Sequence, residues 1–319
     1  MAWAGTQDLP VFVLGGGSNL VVGDDGFAGL VLRFVSRGME FHSQGDKVWL
    51  QAQAGEPWDE VVTAAVARDL GGIERLSGIP GTTGATPIQN VGAYGQEVAD
   101  TIQSLRVIDR HAHTVREMTA AECRFAYRTS LFRHEPEPPI VVSVTFALQP
   151  GGRPSALHKE LAAALAHASQ SSLPAVRAAV LALRRRKSMV YDLQDPNRRS
   201  AGSFFTNPIV SPAKAAEVVD QALREGLART PGEVPQYPLP DGVKLAAGWL
   251  VEHSGIGRGF RMGPVGVSSH HALALVHHGG GSTADLLRLA VHVRDTVAKR
   301  FGIALLPEPV FLGARWPAL

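Results

Sequence analysis

Cysteine is nearly absent: Cys123 is the only one in 319 residues. That excludes a disulfide framework and any Cys-based zinc site, and it suits a reducing compartment. Long apolar runs are missing too. None approaches the roughly 18–20 residues that a membrane-spanning helix needs, and residues 1–10 lack the basic, apolar, small-residue order of a signal peptide. The expectation is a cytoplasmic protein without a membrane partner. Charge of one sign is not in excess, since 31 Lys and Arg against 29 Asp and Glu leave a net +2. A near-neutral balance gives no electrostatic case for nucleic acid. The 12 histidines include no His-x-x-x-His spacing on a helix. Neighbours such as His270–His271 and His277–His278 would face opposite sides of a strand, so no metal site is expected.

Apolar residues at 45% and charged residues at 19% describe a globular chain with a sizeable core, and its length fits two domains. The 34 glycines cluster at Gly15–Gly17, Gly71–Gly95 and Gly279–Gly281, which marks sharp, specific backbone.

Strands are predicted at Val11–Leu14, Leu30–Arg33 and Val48–Ala52, a helix from Glu56 to Leu70, and a hairpin from Leu105–Asp109 and Thr114–Met118. Ile140–Leu148 reads as a strand. Helices follow at 155–167, 174–186, 212–225, 244–253 and 283–300, with a strand at Ala272–Val276. The overall class is α+β. Residues 73–98 show neither period, and a loop of that length in a compact domain is usually functional.

Gly15-Gly-Gly-Ser-Asn19 follows a strand and offers backbone N–H groups to an anion. No helix opens behind it, so a tight turn and a phosphate loop both remain open readings. The segment Gly78–Gly95 is more informative. Its small residues and the hydroxyls of Thr82, Thr83 and Thr86 can wrap a pyrophosphate, and Gln89 and Asn90 supply amides that read a heterocycle edge. Tyr127–Arg133 reads as a surface helix start, and Cys123 as a packed thiol. Ser203, between Gly202 and a Phe pair, is either a positioned proton donor or a plain cap. The run Arg184–Lys187 fits a solvated helix end or a phosphate contact.

Seven segments in this order resemble the UDP-N-acetylenolpyruvoylglucosamine reductases of bacterial cell-wall synthesis, the MurB family: Leu14–Leu20, Ser77–Gly81, Pro87–Gly95, Cys123–Ser130, Ala201–Pro208, Lys244–Leu250 and Leu306–Val310. The resemblance implies a FAD-binding domain of the vanillyl-alcohol-oxidase (PCMH) type in two lobes over residues 1–160. A substrate-binding α+β domain over 170–309 and a tail at 310–319 returning to the flavin lobe would follow. It implies non-covalent FAD, NADPH, a UDP-sugar enolpyruvyl ether as substrate, and a monomer. Gly15, Gly16, Gly17, Ser18 and Asn19, with Gly81, Thr82, Thr83, Gly84, Thr86, Gln89 and Asn90, would hold FAD. Ser203 would donate a proton, while Arg128 and Glu308 would lie near the substrate carboxylate and developing enolate. Tyr127, Lys187, Asn207, Tyr237, Lys244 and His271 would contact substrate or nicotinamide cofactor. His271 stands where some relatives carry Gln, and a Tyr that covers the bound substrate in some relatives is replaced here near His158.

Relatives begin some 30–40 residues before the glycine-rich strand, whereas this chain starts about ten before Val11. A late-assigned start and a domain lacking its first strand–helix unit are the two explanations. Two further function classes stay in view: another flavin oxidase or dehydrogenase of the same superfamily, and a flavin-free binding protein.

Overall fold

The computed structural model describes residues 2–152, 158–166 and 172–317. Contacts divide the chain into two compact units. The first comprises the residues up to Ser18 with Ala28–Tyr191, and the second comprises Asn19–Phe27 with the residues from Asp192 onward.

The first unit is organised by a mixed-length antiparallel sheet. Ile140–Pro150 lies at its centre, flanked by Ile102–Ile108 and Lys47–Gln53, with Val115–Thr119 and Met39–Gln44 at the edges. The predicted hairpin is present, its strands paired from Val115↔Ile108 to Thr119↔Ser104. Val11–Leu14 and Leu30–Arg33 pair in parallel as a separate two-stranded sheet. Helices α1 (Ala2–Thr6), α2 (Trp58–Ala67), α3 (Leu131–His134), α4 (Lys159–Leu165) and α5 (Leu173–Arg186) belong to the same unit. α2 buries Trp58, Val61, Val62, Ala65 and Val66, a helical stripe at the spacing that seats one face on a core. The Trp58 ring lies 5.6 Å from Phe146, tilted at 53° to it, and its indole N–H donates to the Leu76 carbonyl at 3.0 Å. One buried side chain therefore ties helix, sheet and the start of the long loop together. The helix expected at 155–167 appears as α4; residues 153–157 and 167 lie outside the described residues.

The second unit holds α6 (Pro212–Arg224), α7 (Ala247–His253) and α8 (Thr283–Phe301). Serine caps start two of them, Ser211 accepting from the Lys214 N–H and Ser282 from the Asp285 N–H, as the sequence pattern demands. A four-stranded sheet runs Ser200–Ser203, Ala274–His277, Val265–Val267, Arg261–Met262, and a three-stranded sheet runs Ile209–Val210, Gly242–Leu245, Gln236–Leu239. Val310–Leu312 pairs in parallel with Leu20–Val22. The core includes Phe204, Phe205, Leu250, Leu289, Val293 and Phe301.

Three placements differ from the sequence expectation. The helix expected from 244 starts at Ala247, because Val243, Lys244 and Leu245 pair as a strand with Gln236–Leu239. The strand expected at Ala272 begins at Ala274. The division falls after Tyr191 rather than between 160 and 170. α5 stays with the first unit because Arg177 on it grips Asp59 of α2 through two hydrogen bonds of 2.6 and 2.7 Å.

Candidate active site

In the first unit two loops face each other backbone to backbone. A Cβ added to Gly16 would lie 2.6 Å from the Gly81 Cα, and one added to Gly15 would meet Thr82 Oγ1 and Ala85 Cβ at 3.0 Å. Only glycine permits this approach. Ser18 Oγ donates to the Pro80 carbonyl at 3.0 Å and closes the pair. Below it, Thr83 N–H donates to the Glu56 carbonyl and Gly84 N–H to the Ala54 carbonyl, which fixes the second loop to the end of a sheet strand. Among the described residues, the backbone N–H groups of Gly16, Gly17, Gly81 and Thr82 make no backbone hydrogen bond. N–H groups of this kind can receive phosphate oxygens.

The other expected cofactor contacts are placed differently. Thr83 and Thr86 are fully buried, and their hydroxyls donate to the Glu56 and Thr83 carbonyls. They brace the loop from inside. Asn90, in the left-handed region at φ 49°, donates to Glu97 Oε2 at 2.6 Å and to the Ala126 carbonyl at 3.1 Å, and accepts from the Ala99 N–H. Its amide fastens the loop to the Arg128 segment. Gln89 Oε1 accepts from Arg133 at 3.4 Å.

Arg128 is also left-handed, at φ 55°, a conformation that non-glycine residues adopt at a cost of roughly 1–2 kcal/mol. Its guanidinium donates to the Gly92 carbonyl at 2.5 Å and the Asn90 carbonyl at 3.4 Å, and it lies 3.6 Å from Glu97. The Tyr127 ring sits 5.2 Å beneath it. Ser130, rather than Tyr127, caps the short helix α3.

A second group gathers around Tyr94. Lys187 pairs with Glu160 at 2.6 Å and lies 5.9 Å from the Tyr94 ring centre, and His158 meets that ring edge-on. Burial pushes the Tyr94 phenol up to about 12 and pulls the His158 imidazole down. Lys187, expected in the substrate half, thus belongs to the first unit. The run Arg184–Lys187 is mixed in character. Arg185 and Arg186 are exposed, whereas Arg184 donates to the Met189 carbonyl at 2.6 Å and burial lowers its guanidinium to about 10.

Asp59 is a structural residue with no local sequence signal. Its carboxylate takes both Arg177 bonds and the Gly78 N–H at 2.6 Å, anchoring the start of the cradle loop. An acidic residue in a first helical turn reads as a dipole partner, and no local pattern announces the distant arginine.

In the second unit the fold brings Ser203 and Glu308 together from 105 positions apart. Glu308 N–H donates to the Phe204 carbonyl at 2.8 Å, and Phe205 bridges to Pro307. The register shifts between Ser200 and Ser203, with Gly202 at φ 71°. Such a bulge re-aims the side chain that follows it. Ser203 is half-buried, while the two phenylalanines after it are 1% exposed and lock the strand into the core. Tyr237 and Lys244 are directly paired across strands, the Lys244 amine 5.7 Å from the Tyr237 ring. Asn207 accepts from the Ala247 N–H at 2.9 Å and so starts α7. His271 Nδ1 accepts from the Leu273 N–H at 3.1 Å in the turn before the Ala274 strand. No helix among the described residues is long and apolar enough to cross a membrane.

Comparison with known proteins agrees with this geometry. Residues 1–117 match the FAD binding domain family, which with the cradle defines an FAD-binding protein. Residues 194–312 match the C-terminal domain of UDP-N-acetylenolpyruvoylglucosamine reductase. The reductase of that name from Nocardia farcinica is 49% identical over 96% of this chain and 80% of its own length. The Mycobacterium tuberculosis reductase is 47% identical over 96% and 83%. The crystal structure of the Thermus caldophilus enzyme superposes with a TM-score of 0.64 at 25% identity, covering 97% of this chain and 88% of that one. The chain belongs to the UDP-N-acetylenolpyruvoylglucosamine reductase family, the flavoenzymes of peptidoglycan precursor synthesis.

The first unit fits FAD. The glycine-only approach of Gly16 to Gly81 and the N–H groups beside it that make no backbone hydrogen bond among the described residues suit a pyrophosphate. Gly15–Ser18, Gly81 and Thr82 would hold that group.

Proposed function

We propose that the chain reduces UDP-N-acetylglucosamine enolpyruvate to UDP-N-acetylmuramate at the expense of NADPH, with Ser203 as proton donor. FAD, when bound, supplies two-electron (hydride) transfer from nicotinamide to the terminal carbon of the enolpyruvyl double bond. The balance then requires one proton at the neighbouring carbon, which carries the carboxylate. Ser203 Oγ delivers it, a task that depends on position more than acidity. Arg128 offers a fork of donors to the carboxylate, where negative charge develops. Glu308 orients the serine or resupplies its proton. Tyr127, Lys187, Asn207, Tyr237, Lys244 and His271 bind the nucleotide sugar and the nicotinamide cofactor in turn. A cytoplasmic, monomeric enzyme belongs to the same reading.

The observation that carries the proposal is the bulge at Gly202, which presents Ser203 one residue from the main-chain bond between Phe204 and Glu308. The test is Ser203→Ala in separate half-reactions. Flavin reduction by NADPH stays intact, and turnover of the enolpyruvyl sugar slows by about 10²–10⁴. Equal slowing of both half-reactions, or of neither, contradicts the assignment.

A further inference from the structure

Asn19 closes the glycine-rich segment, yet its side chain is directed at the catalytic strand. Its Nδ2 donates to the Glu308 carbonyl at 3.3 Å, and its own carbonyl accepts from the Val310 N–H at 3.0 Å. From there the parallel ladder continues as Val310↔Leu20, Phe311↔Val21 and Leu312↔Val22.

Glu308 is flanked by Pro307 and Pro309. Neither proline can donate to a ladder, and the residue before a proline is confined to extended backbone. The segment is therefore stiff but short of main-chain donors. Glu308 N–H is taken by Phe204, and its carbonyl is reached by the Asn19 amide, in the stretch where Pro309 cannot contribute. Both main-chain polar groups of Glu308 are thereby held, one by the residue after Ser203 and one by Asn19.

We propose that Asn19 is a positioning residue for the proton-transfer pair, fixing the main chain of Glu308 and with it the placement of Ser203, and is not a ligand of the cofactor pyrophosphate. The inference rests on the roles assigned above to Ser203 and Glu308. It also gives the glycine-rich segment two consecutive tasks: Gly15–Ser18 form the cradle, and the next residue braces the acid strand.

The test uses full-length holoenzyme carrying Asn19→Ala or the isosteric Asn19→Asp, which lacks the N–H donor. In anaerobic stopped-flow, oxidation of the reduced enzyme by the UDP-enolpyruvyl sugar slows about 10–100-fold in both variants, the loss expected from misplacing a reacting group by a fraction of an ångström to 1 Å. Flavin reduction by NADPH stays within about twofold. Amide exchange across residues 306–312 rises in both variants, a readout independent of turnover. Ser203→Ala is measured alongside. If it leaves the sugar half-reaction unchanged, the proton-donor reading fails, and the exchange result alone judges Asn19. If Ser203→Ala slows that step and the Asn19 variants do not, the positioning role is wrong. An Asn19→Asp enzyme with wild-type rate and exchange overturns it as well, as does a variant whose sole defect is weaker FAD binding. Should Asn19→Ala fail to fold, Asn19→Asp carries the same comparison.

Discussion

Replacing Gly16 by alanine should open the cofactor cradle while leaving the fold in place. The new Cβ would lie 2.6 Å from the Gly81 Cα, 3.3 Å from its carbonyl carbon and 3.4 Å from its nitrogen. Carbon atoms in contact rest at about 3.5–4.0 Å, so the loops must part by about 1 Å. The obstacle is backbone, so no side chain can swing aside to relieve it. A phosphate oxygen held at about 2.9 Å by an N–H on each loop then loses one partner, since a hydrogen bond does not survive at about 3.9 Å. A hydrogen bond to a charged group contributes about 1.5–3 kcal/mol, which corresponds to roughly 10–150-fold in affinity. Gly16→Ala should therefore weaken FAD binding by that factor in a titration of apoprotein followed by flavin fluorescence. Gly232→Ala, whose Cβ meets nothing within 4 Å, is the matched control and should bind FAD normally. A Gly16→Ala protein with wild-type FAD affinity would show that the two loops do not jointly hold the cofactor.

Two other outcomes follow from the first unit. Burial works to raise the Asp59 carboxyl, but the Arg177 hydrogen bonds and the Gly78 N–H outweigh it and hold it below the ordinary carboxylate value. Its folded form thus binds its proton less readily than the unfolded chain. The pair's contribution to stability is complete above the ordinary carboxylate range, about pH 4, and is lost as pH falls through the lowered value. Denaturant unfolding of wild type against Asp59→Asn should show a constant difference near neutrality that shrinks below that pH; a difference growing in acid would refute the sign. Cys123 is fully buried, and burial raises its thiol to about 12. With a thiolate fraction of about 10⁻⁴ at pH 8, alkylation of the native protein should proceed only through unfolding, at a rate that tracks denaturant. Rapid labelling of folded protein would contradict this.

Much of the fold was legible because its signals are local. Ser211 and Ser282 announce helix starts, α5, α6 and α8 carry full apolar stripes, and the alternating hairpin around Val107 and Met118 needs no distant information. The short strands of the second unit were not legible. Ile209–Val210 and Gly242–Leu245 are too brief to show a period, and Lys244 and Leu245 read as the opening of α7 until their strand partners are known. The site divided in the same way. Gly16 and Gly81 stand out by composition. Thr83, Thr86 and Asn90 looked like ligand groups because sequence cannot reveal that carbonyls and Glu97 already engage them. Lys187 and Asp59 depend on pairings across 27 and 118 positions, and Asn19 on one across 289.

The most direct test of the whole account is the absorbance of the purified protein under anaerobic conditions, first with NADPH and then with UDP-N-acetylglucosamine enolpyruvate. NADPH should bleach the flavin band and the enolpyruvyl sugar should restore it in stoichiometric amount, with UDP-N-acetylmuramate as product. A flavin that NADPH reduces but only oxygen reoxidises would contradict it and mark an oxidase of the same fold.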